Sequence, residues 1–91
     1  MEEVAISKNT HRVIEHAEVL DQLYRTEYIG MVRLAYTLVG SNAEAEDLVQ
    51  DSFAEIYRRF DDIRSPGAYL RTTVVNRCRN ALGVPVNMLL E

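Results

Sequence analysis

The sequence predicts an all-α fold, a small bundle of three to four helices. Apolar residues recur at three- and four-residue spacing along most of the chain, as the buried face of a helix requires. Glycine and proline occur mainly as punctuation between these segments, and no alternating strand pattern with a hairpin signal is present. A length of 91 residues is enough for one small domain with a modest core.

The first apolar stripe follows Thr10, which we predict to cap a helix, and it continues as far as Gly40. Residues 1–9 are polar, and we expect them to be irregular and frayed. Gly40 is well placed to end the segment as a left-handed cap. Gly30 lowers helix propensity by about 1 kcal/mol, so the pattern leaves open one long helix or a kinked pair.

The second helix has the strongest start signal, because Ser41 and Glu44 match the capping box. It is predicted to end near Phe60. Its core-facing stripe comprises Ala45, Leu48, Val49, Ser52, Phe53, Ile56 and Phe60. Its opposite, polar side comprises Asp47, Gln50, Asp51, Ala54, Glu55 and Arg58.

The third helix is predicted to begin at Pro66, because proline favours the first helical position after a serine such as Ser65. Gly83 and Pro85 should end it near residue 82. Its inward-facing residues are predicted to be Leu70, Val74, Cys78 and Leu82.

This pattern predicts that the chain is divided into three parts. Residues 1–17 form an N-terminal extension that we expect to be partly helical. Residues 18–82 form the helical domain. Residues 83–91 form a tail with no evident role in the domain, and its last two residues could be a cloning remnant or natural sequence.

Composition excludes several classes of function. The net charge of −4 argues against a protein that simply coats nucleic acid. Cys78 is the single cysteine and lies between apolar neighbours, so we interpret it as a core residue in a reducing compartment.

His11 and His16 are expected to be solvent-exposed. Without a signal peptide or a long apolar run, we expect a cytoplasmic protein with no membrane partner. No nucleophile, metal cluster or phosphate-binding glycine loop is evident, so we predict no enzyme activity, cofactor or metal.

Positive charge is concentrated in residues 63–80, which hold four arginines and no acidic residue, although the chain has fourteen acidic residues. Arginine suits phosphate, asparagine suits base edges and tyrosine can stack on a base. The segment therefore favours a nucleic-acid-binding helix, and a solvated basic face near a helix end is the alternative. Helical spacing places on one face Tyr69, Thr72 and Thr73, Asn76 and Asn80.

A like-charge pair marks the polar side of the second helix. Asp47 and Asp51 are four residues apart, a spacing that mildly destabilises an isolated helix, and Gln50 lies beside them. A solvated face and a docking surface for a partner helix both fit. Acid–base or metal chemistry fits poorly, because no histidine and no calcium-type loop accompany the pair.

Several motifs occur together in order. Asp47 to Asp51 reads DLVQD, residues 57–60 read YRRF, residues 66–70 read PGAYL and residues 75–80 read VNRCRN. With the upstream residues 23–40, these motifs resemble region 2 of bacterial sigma factors, and within the sigma-70 family they are most similar to the extracytoplasmic-function group.

The resemblance implies a partner for each of two surfaces. In this family the helix that carries DLVQD docks on the clamp helices of the largest subunit of RNA polymerase. The residues carried over are Asp47, Leu48, Gln50 and Asp51. The next loop and helix bind the non-template strand of the promoter minus-ten element and help to melt it. Here they are residues 61–68, with contacts from Arg64, Tyr69, Arg71, Thr72, Asn76, Arg77 and Asn80.

Two departures qualify the resemblance. Many family members have tryptophan at the position of Tyr69, so stacking is retained but should be weaker. The family's second domain, a helix-turn-helix, is not in this sequence, so we expect an isolated or truncated domain that directs transcription inefficiently alone. Two other functions fit: a helical interaction module whose main partner is an anti-sigma factor, and an unrelated domain that binds duplex DNA in the major groove.

Overall fold

Three α-helices form the part of the protein that the structure describes, and the prediction of an all-α bundle is confirmed. The computed structural model describes residues 8–83, and the side chains of residues 14–83. Helix α1 spans Lys8–Val39, α2 spans Asn42–Arg58 and α3 spans Pro66–Leu82. A single 3-10 turn, Phe60–Asp62, links α2 to α3. Each of the three helices packs against the other two.

Helix α1 is continuous, which resolves the question left open by Gly30. A side chain there would meet open space, so Gly30 is not required for packing. Buried Met31 and Ala35 and half-buried Leu23 hold the two halves of α1 against the bundle, which offsets the low propensity of glycine. The prediction of Thr10 as the cap is wrong. The backbone is already helical at Lys8, whereas an N-cap has an extended backbone.

The α1–α2 connection has the geometry that its sequence predicts. Gly40 adopts φ +77°, the left-handed region that glycine tolerates, and its N–H donates to the Tyr36 carbonyl at 2.7 Å. Ser41 is the extended N-cap of α2, and its Oγ accepts a hydrogen bond from the Glu44 amide at 3.2 Å. The serine half of the predicted capping box is therefore confirmed.

Both ends of α3 are also as predicted. Ser65 is the N-cap and Pro66 occupies the first turn, although the Ser65 side chain makes no capping hydrogen bond. Gly83 ends the helix with φ +74°, and its N–H donates back to carbonyls of the last turn. These bounds fix which face of α3 is presented to the rest of the bundle.

The core lies where the three helices meet, and most of the predicted inward residues belong to it. Burial raises the pKa of the Cys78 thiol, as expected for a core residue and not a nucleophile. Buried Ser52 donates its hydroxyl to the Leu48 carbonyl at 2.8 Å, so it leaves no unpaired polar group. Leu48 itself is only half-buried. The buried apolar residues are Met31, Ala35, Ala45, Val49, Phe53, Ile56, Leu70, Val74 and Cys78.

Leu82 was predicted to face inward, and this is wrong, because 49% of it is exposed. The reason is helical geometry. Each four-residue step overshoots a full turn, so three such steps from Leu70 rotate a residue by roughly 120° away from the buried side. The i, i+4 pattern therefore predicts burial for Leu70, Val74 and Cys78 and fails at the fourth position.

His16 was expected to be exposed, but it packs on the α2–α3 connection. Its Nε2 lies 3.2 Å from Asp61 Oδ1, its ring centroid lies 4.3 Å from that of Phe60, and its side chain is 20% exposed. Helix α1 therefore supports the start of the predicted DNA-binding loop, residues 61–68. The side chain of His11 lies outside those described. Among the described residues, no helix is long and apolar enough to cross a membrane.

Candidate nucleic-acid interface

An open groove of about 370 Å³ lies along α3, on the side that faces α2. Residues of this lining were predicted from helical spacing to share one face of α3, and that placement is confirmed. The lining is rich in hydroxyl and amide groups, which can donate to and accept from base edges. The groove is lined by Tyr69, Thr72, Thr73, Asn76, Arg77 and Asn80 of α3 and by Glu55 of α2.

Two arginines of the predicted DNA-binding set lie outside the groove. Arg71 and Arg64 are both exposed, Arg71 on α3 and Arg64 in the preceding loop. Neither forms an ion pair with any side chain that the structure describes. They are therefore available for phosphate contacts outside the groove, whereas Arg77 lies in its wall.

Glu55 links the two walls of the groove. Tyr69 donates its hydroxyl to Glu55 Oε2 at 2.9 Å, and Arg77 donates from Nη2 to Glu55 Oε1 at 2.8 Å. Arg59, the residue that directly follows α2, places Nη1 3.8 Å from Oε2. We call the carboxylate with its two hydrogen-bonded partners, Tyr69 and Arg77, the Glu55 bridge.

The interpretation of Glu55 as a residue of the outer polar side of α2 is wrong. Its side chain is 20% exposed and lies against α3. The signal was its position between buried Ser52 and buried Ile56, at the edge of the apolar stripe. A long side chain at such an edge position can reach a neighbouring helix. The sequence does not identify its partners, however, because they are 14 and 22 residues away along the chain.

The bridge changes the electrostatics of the groove. The hydrogen bond from Arg77, followed by that from Tyr69, lowers the pKa of Glu55, so the carboxylate is ionised. The same carboxylate raises the pKa of Tyr69, which keeps its proton and remains a donor. Arg77 is only partly satisfied, because its Nε is buried without a hydrogen-bond partner.

The second predicted site lies on the exposed side of α2. Asp47, Gln50 and Asp51 are all exposed, and we call these three residues the docking face. Gln50 Nε2 contacts the Tyr28 hydroxyl at 3.4 Å, which ties this face to α1. Leu48 was predicted to bind the same partner as these three residues. It is half-buried beside the core, so at most the exposed edge of its side chain can contact a partner.

A comparison with models of known protein families gives a match over most of the described helices. The family model described as Sigma-70 region 2 matches residues 23–83, about two thirds of the chain. The matched range begins within α1 and includes α2, the connecting turn and α3. Comparisons with curated proteins and with solved structures gave no match.

Proposed function

The chain belongs to the sigma-70 region 2 family, a family of non-enzymatic transcription-factor domains that act in initiation, and on this premise we propose what each of its surfaces binds. The docking face binds the clamp helices of the largest subunit of core RNA polymerase. The α3 groove and residues 61–68 bind the non-template strand of the promoter minus-ten element and help to melt it. On its motifs, the chain fits the extracytoplasmic-function group and acts in the cytoplasm, where the polymerase lies.

The observation that carries the proposal is the separation of chemistry between consecutive helices. The docking face of α2 exposes two carboxylates and an amide, whereas α3 presents an aromatic ring, hydroxyls, amides and arginines. A carboxylate face repels nucleic acid and suits a basic or polar helix. An aromatic ring with amide and arginine side chains suits a strand whose bases are unstacked.

A single-stranded target fits the groove better than a duplex. Capture of a base from a duplex costs a few kcal/mol of unpairing and unstacking, which stacking and hydrogen bonds must offset. Tyr69 can contribute a stacking surface, and Asn76 and Asn80 can contribute base-edge contacts. Arg64 and Arg71, which are exposed outside the groove, are assigned to phosphates of the same strand.

The polymerase assignment is tested with Asp51→Arg. We expect this variant to lose most of its binding to purified core RNA polymerase in a pull-down, because it reverses one charge of the docking face. The free energy of unfolding should change by under about 0.5 kcal/mol, since the position is exposed.

Glu46→Arg is the matched control. Glu46 is also exposed on α2 but lies outside the docking face, so its reversal should leave polymerase binding nearly intact. Equal retention of Asp51→Arg and wild type on the polymerase would refute the docking assignment. Equal loss in both variants would indicate a general charge effect and not a specific face.

Exposed apolar side chains on α1 favour a second candidate, a module whose main partner is another protein such as an anti-sigma factor. Ile29 is 64% exposed, and Tyr36 and Leu38 are exposed further along the helix. Aromatic side chains such as Tyr36 are enriched at protein interfaces, and the buried centre of an interface is more apolar than its rim. Ile29→Asp would then abolish binding to the antagonist while leaving oligonucleotide binding unchanged, which separates this function from promoter recognition.

A further inference from the structure

The groove that we propose as the DNA site already contains an anion, the carboxylate of Glu55. We propose that Glu55 is an internal competitor for DNA phosphate, which holds Arg77 until a phosphate of the bound single strand takes its place. This inference deepens the proposed function and depends on it, since it describes how the same groove is regulated. It assigns Glu55 a role in limiting affinity, where a purely structural residue would have none.

The geometry of the bridge makes it a competitor. Arg77 donates to one carboxylate oxygen at 2.8 Å and Tyr69 to the other at 2.9 Å. The guanidinium binds carboxylate and phosphate through the same planar donors, so a phosphate can replace the carboxylate without a change in the charge paired with Arg77. Arg77 is 31% exposed and Glu55 20% exposed, so the bridge lies at the groove surface and not in the core.

One donor of Arg77 is unsatisfied in the bridge, which favours movement of the guanidinium toward a phosphate. Its Nε is buried and has no hydrogen-bond partner, which is an unfavourable state for a cationic donor. A phosphate that draws the guanidinium toward the open groove would give this donor access to water or to a phosphate oxygen. The exchange therefore loses one charged hydrogen bond within the chain and can satisfy one more donor than the bridge does.

The comparison with Arg71 gives the proposal a measurable form. Arg71 is exposed and forms no ion pair with a described side chain, so it should contribute a full phosphate contact. Arg77 begins neutralised by Glu55, so its contact should release few counterions. Removal of the Glu55 charge should make binding steeper in salt by about 0.7 in the log–log slope, the contribution of one contact on a single strand.

The experiment measures binding of the chain to a short fluorescent oligonucleotide of minus-ten sequence by anisotropy, over a series of NaCl concentrations. The variants are Glu55→Gln, Arg77→Gln, the double variant and Arg71→Gln. Glu46→Gln is the control, because it removes an exposed carboxylate from the same helix outside the groove. Glu55→Gln should bind roughly threefold to tenfold more tightly than wild type at low salt and with the steeper slope.

Four further results are expected. The double variant should return close to wild type, because the gain in Glu55→Gln requires Arg77. Arg71→Gln should reduce the slope by about 0.7. Glu46→Gln should change affinity much less than Glu55→Gln does. Glu55→Asp keeps the charge but is one methylene too short to hold both partners, so it should shift in the same direction and decides the matter if Glu55→Gln fails to fold.

The failures are distinguishable. If Arg71→Gln reduces the slope but Glu55→Gln leaves affinity unchanged or lowers it, the competitor role is overturned and the DNA face stands. If Glu55→Gln and Glu46→Gln strengthen binding equally, the effect is only net charge and the competitor role is again overturned. If Arg71→Gln leaves the slope unchanged, the proposed DNA face is overturned and the competitor role with it.

Discussion

The two predicted binding surfaces lie on consecutive helices and differ in how far their side chains are already bonded within the chain. On α2, Asp47 and Asp51 are exposed and form no ion pair with a described side chain. On α3, Tyr69 and Arg77 are both held by Glu55. Under the proposed function, the docking face can bind its partner directly, whereas the groove must exchange an internal contact for an external one.

This difference suggests why the two surfaces would act in sequence. A surface with free carboxylates can bind a partner helix without rearrangement, which favours fast docking. A groove with an internal anion binds a strand weakly until the strand is held at high local concentration. Polymerase binding followed by strand capture is the order that these contacts favour.

The largest expected effect breaks both surfaces at once. Leu70 is buried where α3 meets the bundle, so Leu70→Ala should lower the free energy of unfolding by about 2–5 kcal/mol. For a domain of this size that loss could unfold it. Leu82→Ala is the matched control, because Leu82 is exposed and should cost under about 0.5 kcal/mol. Urea denaturation measures both, and equal costs would show that Leu70 is not more deeply buried than Leu82.

A smaller effect sharpens the account of the groove alone. If Asn76 or Asn80 contacts a base edge, its replacement by alanine should cost roughly 1–3 kcal/mol of binding and relax preference at one base. The measurement is competition between single-substituted non-template oligonucleotides with core polymerase present. Asn42→Ala, at an exposed position on α2, should change nothing. Equal affinity of all oligonucleotides for wild type and the groove variants would leave only a nonspecific basic patch.

The smallest expected effect is the stability that the Glu55 bridge loses at low pH. The pKa of Glu55 is lowered in the folded chain, mainly by Arg77, from an ordinary value of 4.5. Its contribution to stability is therefore present above that value and is lost as the pH falls through the lowered pKa. We expect wild type to lose about 1 kcal/mol of stability as the pH falls below 4.5, and we expect this loss to be absent in Glu55→Gln.

Thermal unfolding at pH 7 and pH 3 measures this contribution. Glu46→Gln, which removes an exposed carboxylate of the same helix, should retain the acid sensitivity of wild type. If Glu55→Gln loses as much stability between the two pH values as wild type does, the carboxylate is not held as the bridge requires.

Much of the fold was predictable because its signals are local. Ser41, Pro66 and the glycines at positions 40 and 83 act within a few residues, and the apolar periodicity identifies the buried side of α2. The long α1 was not fixed by its sequence pattern, because packing on both sides of Gly30 decided continuity. The prediction that Leu82 is buried failed because the rotation of about 40° at each four-residue step accumulates along a helix.

The positions of the groove residues on α3 were predictable from the sequence, whereas their contacts with α2 were not, and their role in binding stays a prediction. Helical spacing is enough to place the groove residues of α3 on one face. The partners of Glu55 depend on how α2 lies against α3, and no local pattern records a contact across 22 residues. The contact of His16 with Asp61 escaped prediction for the same reason.

The most direct test of two separate surfaces is a crossed assay with Asp51→Arg and Asn80→Ala. Each variant is measured for binding to core RNA polymerase without DNA, and then, at saturating polymerase, for capture of a minus-ten non-template oligonucleotide. We predict that Asp51→Arg loses polymerase binding while Asn80→Ala keeps it and loses only oligonucleotide capture. Loss of polymerase binding in Asn80→Ala, or full polymerase binding in Asp51→Arg, would contradict the assignment of one surface to each partner.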